Sequence, residues 1–306
     1  MNLAFLASLA SGTIMYGVPL LYSTLGEVIG QRAGMVNLGL EGILLVGASV
    51  GFAVNVETGN AWLGLGAAAV AGGVFNLVYA FLVVERRANQ LASGLVAMFL
   101  GTGVSAMIGR AYIGSGIAGL PRYQLPGLDS LPWVSKTMFN YDLLVYLSVP
   151  IAILVWWALF RTRWGLSLRA VGENPSAAFA AGRKIGALKY QAALLCGALG
   201  GIAGAHLSIA LARTWTEGMT GGRGYIAVAL VIFAKWHPIR AIFGALLFGG
   251  AVTLQLQLQA AGTAISPFLL TMIPYVVTLG VLLLWSGSRR FAAPGALGRV
   301  YSGEEG

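Results

Sequence analysis

Residues 189–212, KYQAALLCGALGGIAGAHLSIALA, carry a single charged side chain, Lys189 at the first position, across 24 residues. About 20 apolar residues suffice to cross a bilayer as a helix. The stretch does not alternate as a strand would, and in lipid every backbone group must bond within the segment, so it predicts a membrane helix. The small-xxx-small spacings Gly197–Gly201 and Gly200–Gly204 let a neighbouring backbone approach closely and mark a helix–helix contact face. Gly64, Gly66, Gly72 and Gly73 predict the same use in 61–84.

Outward from that stretch the chain repeats the pattern. Of its 306 residues 58% are hydrophobic and only 9% charged, with mean hydropathy +0.80. Soluble domains carry about 25% charged residues. The composition excludes a soluble enzyme, a nucleic-acid binder and a disordered chain. It predicts an all-α polytopic integral membrane protein of about 8–10 transmembrane helices. Nine spans are placed near 2–25, 35–56, 61–84, 89–109, 141–160, 189–212, 224–235, 239–260 and 264–286. The seventh is too short to cross straight, and is either continued by residues 218–223 or partly re-entrant. The N-terminal apolar run lacks a preceding basic region and reads as a first membrane helix, not a cleaved signal peptide. Cys196 is single and forms no internal disulfide. One transmembrane unit over 1–290, with a loop at 161–188, is followed by a tail at 291–306.

Charge sets the orientation. Loops 26–34, 85–88, 161–189, 235–240 and 287–306 hold fourteen of the 19 lysines and arginines. The positive-inside bias predicts that these loops and the C-terminus are cytoplasmic. Arg110, Arg122, Lys136, Arg213 and Arg223 fall on the other side.

The loop 161–188, RTRWGLSLRAVGENPSAAFAAGRKIGAL, predicts a short capped helix. Asn174 is an N-cap and Pro175 suits the first helical position. Gly182 closes the end, and Arg183 and Lys184 follow where cations favour the helix dipole. Phe179 is then left exposed, shaped for a partner's groove.

The run AVGENPSAAFAAG (170–182) resembles the coupling-loop motif of permease subunits of ABC importers, in the branch for branched-chain amino acids, simple sugars and nucleosides. GQRAGMVNLGLEGILLVGA (30–48), ERRANQLASGLVAMFL (85–100) and TEGMTGGRGYIAVALVIFAKWHPIRAIFGALLFG (216–249) are similar to its nucleoside-type subfamily. The resemblance implies a permease in the bacterial inner membrane, forming half of a translocation pathway. It further implies a second related permease subunit, an ABC ATPase with two nucleotide sites and a periplasmic or lipid-anchored binding protein. Glu173, Asn174, Pro175, Phe179 and Arg183 are then the residues that couple to the ATPase. No cofactor is expected in this chain. ATP and Mg belong on the partner ATPase, since none of the four lysines follows a glycine as a phosphate-binding loop requires.

Glu41 is the unusual residue of the second span, because a membrane carboxylate must face the bundle interior or a partner. It reads as a substrate acceptor or gate, or as a structural pair with Asn37 one turn earlier. Asn89, Gln90 and Ser93 at the start of the fourth span, and Gln255 late in the eighth, are amide and hydroxyl candidates for the pathway with Asn37. Arg213 and Arg223 are candidates for docking a binding protein, with TWTEGMTGGRG (214–224) read as an outer turn or gate loop. His206 has no ligand-type neighbour at metal spacing, so no metal site and no catalytic residue is expected. Rival readings are a sugar, flavin or amino-acid permease of the same class, and an ion-coupled secondary transporter resting on Glu41 and His206.

Overall fold

The computed structural model describes residues 3–124, 140–262, 265–285 and 293–299. Lys136, Arg289, Arg290 and, of the tail, residues 291–292 and 300–306 lie outside the described residues. The chain is helical almost throughout: α1 (Leu3–Arg32), α2 (Leu40–Thr58), α3 (Ala61–Val84) and α4 (Gln90–Gly109) are followed by a two-stranded hairpin, β1 (Arg122–Gln124) and β2 (Asn140–Asp142). Then come α5 (Leu143–Arg161), α6 (Arg163–Glu173), α7 (Pro175–Ala180), α8 (Ile185–Ala205), α9 (Arg223–Phe233), α10 (Pro238–Ala260), α11 (Pro267–Thr271) and α12 (Ile273–Trp285). Among the described residues seven helical segments are long and apolar enough to cross a membrane, and α9 and α11–α12 supply shorter apolar stretches.

Local chemistry starts the helices. Asn60 accepts from the amides of Trp62 and Leu63 to cap α3, Asn89 caps α4 through Ala92 N, and Asp142 caps α5 through Val145 N. The left-handed Gly59 (φ 66°) closes α2 and turns the chain into α3.

α2 and α8 form the centre, and α8 packs on α1, α2 and α3. The glycines allow it. A Cβ on Gly201 would strike the Ala68 carbonyl, one on Gly197 the Gly72 carbonyl, and one on Gly204 the Leu44 carbonyl. Gly66 differs from the expectation, since a Cβ there would meet nothing. The outer helices turn large apolar side chains outward, among them Val70 and Phe81 of α3, Phe99 of α4, Trp157 of α5 and Phe243 of α10. That apolar exterior suits a hydrocarbon surround.

Two differences from the sequence reading shape the site. The second span is expected from residue 35, but α2 begins at Leu40, because Asn37 is held in a non-helical elbow. The segment before the capped loop helix is also helical: α6, capped by Thr162, precedes α7. α8 continues as a π-helical turn, His206–Ala212, ending at Arg213 in left-handed geometry (φ 55°). Such turns recur at functional sites.

Candidate functional site

The ends of the bundle differ. At one, here called the basic end, the C-terminus of α1 meets α6 and the turn between α9 and α10. Arg32 Nε donates to Trp236 O at 3.0 Å, and the guanidiniums of Arg32 and Arg169 lie over the Phe160 ring. From this end α9 runs inward. Its 11 residues span about 16 Å, roughly half a bilayer core of about 30 Å. The seventh span is therefore a half-helix whose N-terminus sits inside the bundle.

Glu41 holds that N-terminus. The carboxylate, 7% exposed, accepts from Thr220 Oγ1 at 2.6 Å, Gly222 N at 2.8 Å and Gly224 N at 2.6 Å. Free amides and the helix dipole both favour an anion at this position. The glycines are required: Gly221 and Gly222 are left-handed (φ 54° and 80°), and a Cβ on Gly224 would strike the backbone of Glu41. Glu41 thus closes on the 216–224 loop, not on Asn37 as the helical spacing predicts. Of the outer loop expected at 214–224, Thr220 and Gly224 are buried, held by their bonds to Glu41.

Arg223 follows the loop inward. Its NH1 donates to Met219 O at 3.2 Å and Thr220 O at 2.9 Å. It lines a cavity of about 240 Å³ together with Gly221, Gln255, Thr271 and Tyr275. Arg223, expected at a docking surface, stands in the wall of this cavity, and Gln255 joins it there. Gln257, on another face of α10, donates instead to Ser8 Oγ at 2.8 Å.

The other polar candidates are tied into the frame. Asn37 donates to Asn76 Oδ1 at 2.7 Å, and its Oδ1 accepts from Gly39 N at 2.8 Å. Asn76 in turn donates to Ala193 O at 2.7 Å. Gln90 accepts from Val36 N at 2.8 Å and donates to Gly34 O at 3.1 Å and Arg299 O at 2.9 Å. Asn89 is an exposed cap and Ser93 is buried. These amides hold the elbow before α2.

A second buried carboxylate, Glu27, escaped the sequence reading because it was counted in the first cytoplasmic loop. It accepts from Gln31 Nε2 at 2.9 Å and Asn37 N at 3.1 Å, with Cys196 Sγ at 3.6 Å. Gln31 Oε1 accepts from Trp236 Nε1 at 2.7 Å, which joins α1 to the turn after α9. The i, i+4 pairing of Glu27 with Gln31 on an apolar face was the available signal.

At the basic end four of the coupling candidates, Asn174, Pro175, Phe179 and Arg183, lie on or beside one short turn. Asn174 Oδ1 accepts from Ala177 N at 3.0 Å, Pro175 opens α7, and Gly182 is left-handed (φ 75°). Ala178 anchors the turn against Val171 and Ile185, while Phe179 is 64% exposed. Arg183 lies beside it in an open depression with Lys184. Glu173 faces elsewhere, accepting from Gly295 N at 3.1 Å, and Ala296 N donates to Gly172 O at 2.9 Å. Part of the tail is thereby strapped across the base of α6.

At the opposite end Arg213 is exposed, and its carbonyl accepts from Ile117 N at 3.3 Å. His206 is not alone in space, since Asp142 Oδ2 lies 3.2 Å from its Nε2. The other oxygen of Asp142 accepts from Val145 N at 3.2 Å as the cap of α5. Among the described residues no three His, Cys, Asp or Glu side chains group as metal ligands.

A family model described as branched-chain amino acid transport system / permease component matches residues 9–284. Curated relatives match over nearly the whole chain. "Putative glucose ABC transporter permease protein TsgC13" of Haloferax volcanii is 38% identical over 99% of each chain. "Nucleoside ABC transporter permease protein NupC" of Lactococcus lactis is 33% identical over 96% of each, and "Guanosine ABC transporter permease protein NupQ" of Bacillus subtilis is 34% identical over 97% of each. No solved structure matches.

Proposed function

Because the chain belongs to the family of permease components of branched-chain amino acid transport systems, we propose that it forms half of the translocation pathway of an ATP-driven importer for nucleosides or related nucleobase-containing solutes. The observation that carries the importer reading is α7, a helix closed by its own caps with Phe179 held outward at the basic end. ATP and Mg act on a separate ATPase dimer, whose closure pushes on Pro175–Ala180, and the bundle rocks to expose the pathway to each side in turn. The basic end is cytoplasmic by the positive-inside bias, as is the C-terminus. A second, related permease supplies the other half of the pathway. A binding protein docks at the opposite end, where Arg213 is exposed.

The nucleoside assignment is supported by the relatives named for nucleoside and guanosine transport, at 33–34% identity. A sugar is the second reading, favoured by the 38% identity to the relative named for glucose. An ion-coupled transporter is disfavoured by the permease family match and by relatives named as ABC transporter permeases.

Affinity purification of the tagged chain from its native membrane, followed by uptake in proteoliposomes, tests the proposal. Co-purification of an ATPase and a second permease, with ATP-dependent uptake of guanosine, is the expected result. Uptake of glucose in place of guanosine would select the sugar reading. Recovery of this chain alone would overturn the importer reading.

A further inference from the structure

The cavity at the head of α9 draws its lining from separate parts of the chain: Arg223 from α9, Gln255 and Val252 from α10, Thr271 from α11 and Tyr275 from α12. The Tyr275 hydroxyl stands over the loop, 3.5 Å from where a Cβ on Gly222 would lie. Among the described residues that line it, Arg223 alone is charged. Behind the wall the Glu41 carboxylate is fixed to Thr220, Gly222 and Gly224, on both sides of Arg223 in the chain, and sets an opposite charge next to it.

An uncompensated cation in a low-dielectric cavity would draw an anion. A compensated one does not, because an entering anion leaves the resident carboxylate without its counter-charge. Guanidinium N–H groups beyond those held by Met219 and Thr220, the Gln255 amide and the Tyr275 hydroxyl line it as hydrogen-bonding groups, while Thr271 Oγ1 donates to Phe268 O at 2.7 Å and offers only its lone pairs. Such a set suits a solute with many oxygen and nitrogen acceptors and no net charge.

We propose that this cavity is a solute subsite of the pathway, that it takes neutral polyhydroxylated solutes, and that the Glu41–Arg223 pair sets this preference against phosphorylated ones. The inference rests on the importer reading above and assigns Gln255, Arg223 and Tyr275 as its specificity-determining residues.

The test is equilibrium binding of radiolabelled guanosine, guanosine 5′-monophosphate, glucose and glucose 6-phosphate to the detergent-purified complex without its binding protein. The wild type is expected to bind one neutral solute at least about tenfold tighter than its phosphate. Which neutral solute binds separates the nucleoside from the sugar. Glu41→Gln is expected to narrow that ratio by about tenfold or more, as the phosphorylated partner gains. Tyr275→Phe and Gln255→Leu leave the Glu41 anchor in place and are expected to weaken the neutral solute about three- to tenfold each. They carry the test if Glu41→Gln fails to assemble. Equal binding of neutral and phosphorylated solutes, no binding of either, or unchanged binding in the Tyr275 and Gln255 variants would overturn the subsite. A complex that imports guanosine or glucose yet fails this test overturns the subsite alone and leaves the importer reading standing.

Discussion

α7 and α9 are both short helices that follow a turn, yet they are started by opposite means. α7 is closed by its neighbours along the chain: Asn174 caps it, Pro175 fixes its first turn and Gly182 ends it. α9 has no side-chain cap of its own. Its first amides, with the hydroxyl of Thr220, go to Glu41, about 180 positions away in sequence. The first helix takes its caps and its anchoring contacts, Val171 and Ile185, from residues within a few positions along the chain. The second exists only where α2 delivers a carboxylate, which makes α9 a reporter of the bundle's packing.

Glu41→Ala should separate the two regions most sharply. It strips three donors of their acceptor and leaves Arg223 without counter-charge, so a loss of about 3–5 kcal/mol is expected in thermal or denaturant unfolding of the purified complex. A loss below about 1 kcal/mol would mean that α9 is held by its own loop, as α7 is. Gly204→Val comes next. Its side chain would strike the Leu44 carbonyl at the contact of α8 with α2, at about 1–3 kcal/mol. Gly66→Val, where nothing lies within reach, should stay within about 0.5 kcal/mol on the same assay.

On the local side of the comparison the effects are smaller. Asn174→Ala should cost about 1 kcal/mol, the value of an N-cap, and leave α9 unchanged by hydrogen exchange. A larger loss would show that α7 depends on distant contacts after all. Phe179→Ala should change stability least, within about 0.5 kcal/mol, because the ring is exposed. Its expected effect is functional: ATP hydrolysis persists while solute uptake per ATP falls. Unchanged coupling in that variant would remove Phe179 from the ATPase contact.

The readings that matched the structure share one property. The span 61–84 is reproduced to the residue as α3, and the fourth span to within one residue as α4. The caps Asn174, Pro175 and Gly182 stand as their residue types predict. The contact faces Gly197–Gly201 and Gly200–Gly204 are the ones buried against α2 and α3. All of these are set by apolar length or by groups a few residues apart. The readings that missed required partners from elsewhere. Glu27 was placed in a loop because nothing nearby revealed that Asn37 and Cys196 would meet it. His206 was read as solitary because Asp142 lies 64 positions earlier. Arg223 was assigned to the outer surface because charge on a glycine-rich loop gives no sign that the loop folds inward. α6 lies within the stretch read as the loop 161–188 because its polar face dominates its composition, although Leu168 and Val171 are buried on the other face.

By itself, the sequence determined the membrane class, the placement of most helices and the capped helix at the basic end, since these follow from interactions between neighbours along the chain. The union of Glu41 with residues 220–224, the Asp142–His206 pair and the cavity walled by Arg223, Gln255 and Tyr275 were decided only by the tertiary structure. A polar group buried in a low-dielectric interior must find a partner, and which partner it finds depends on packing in space and not on distance along the chain.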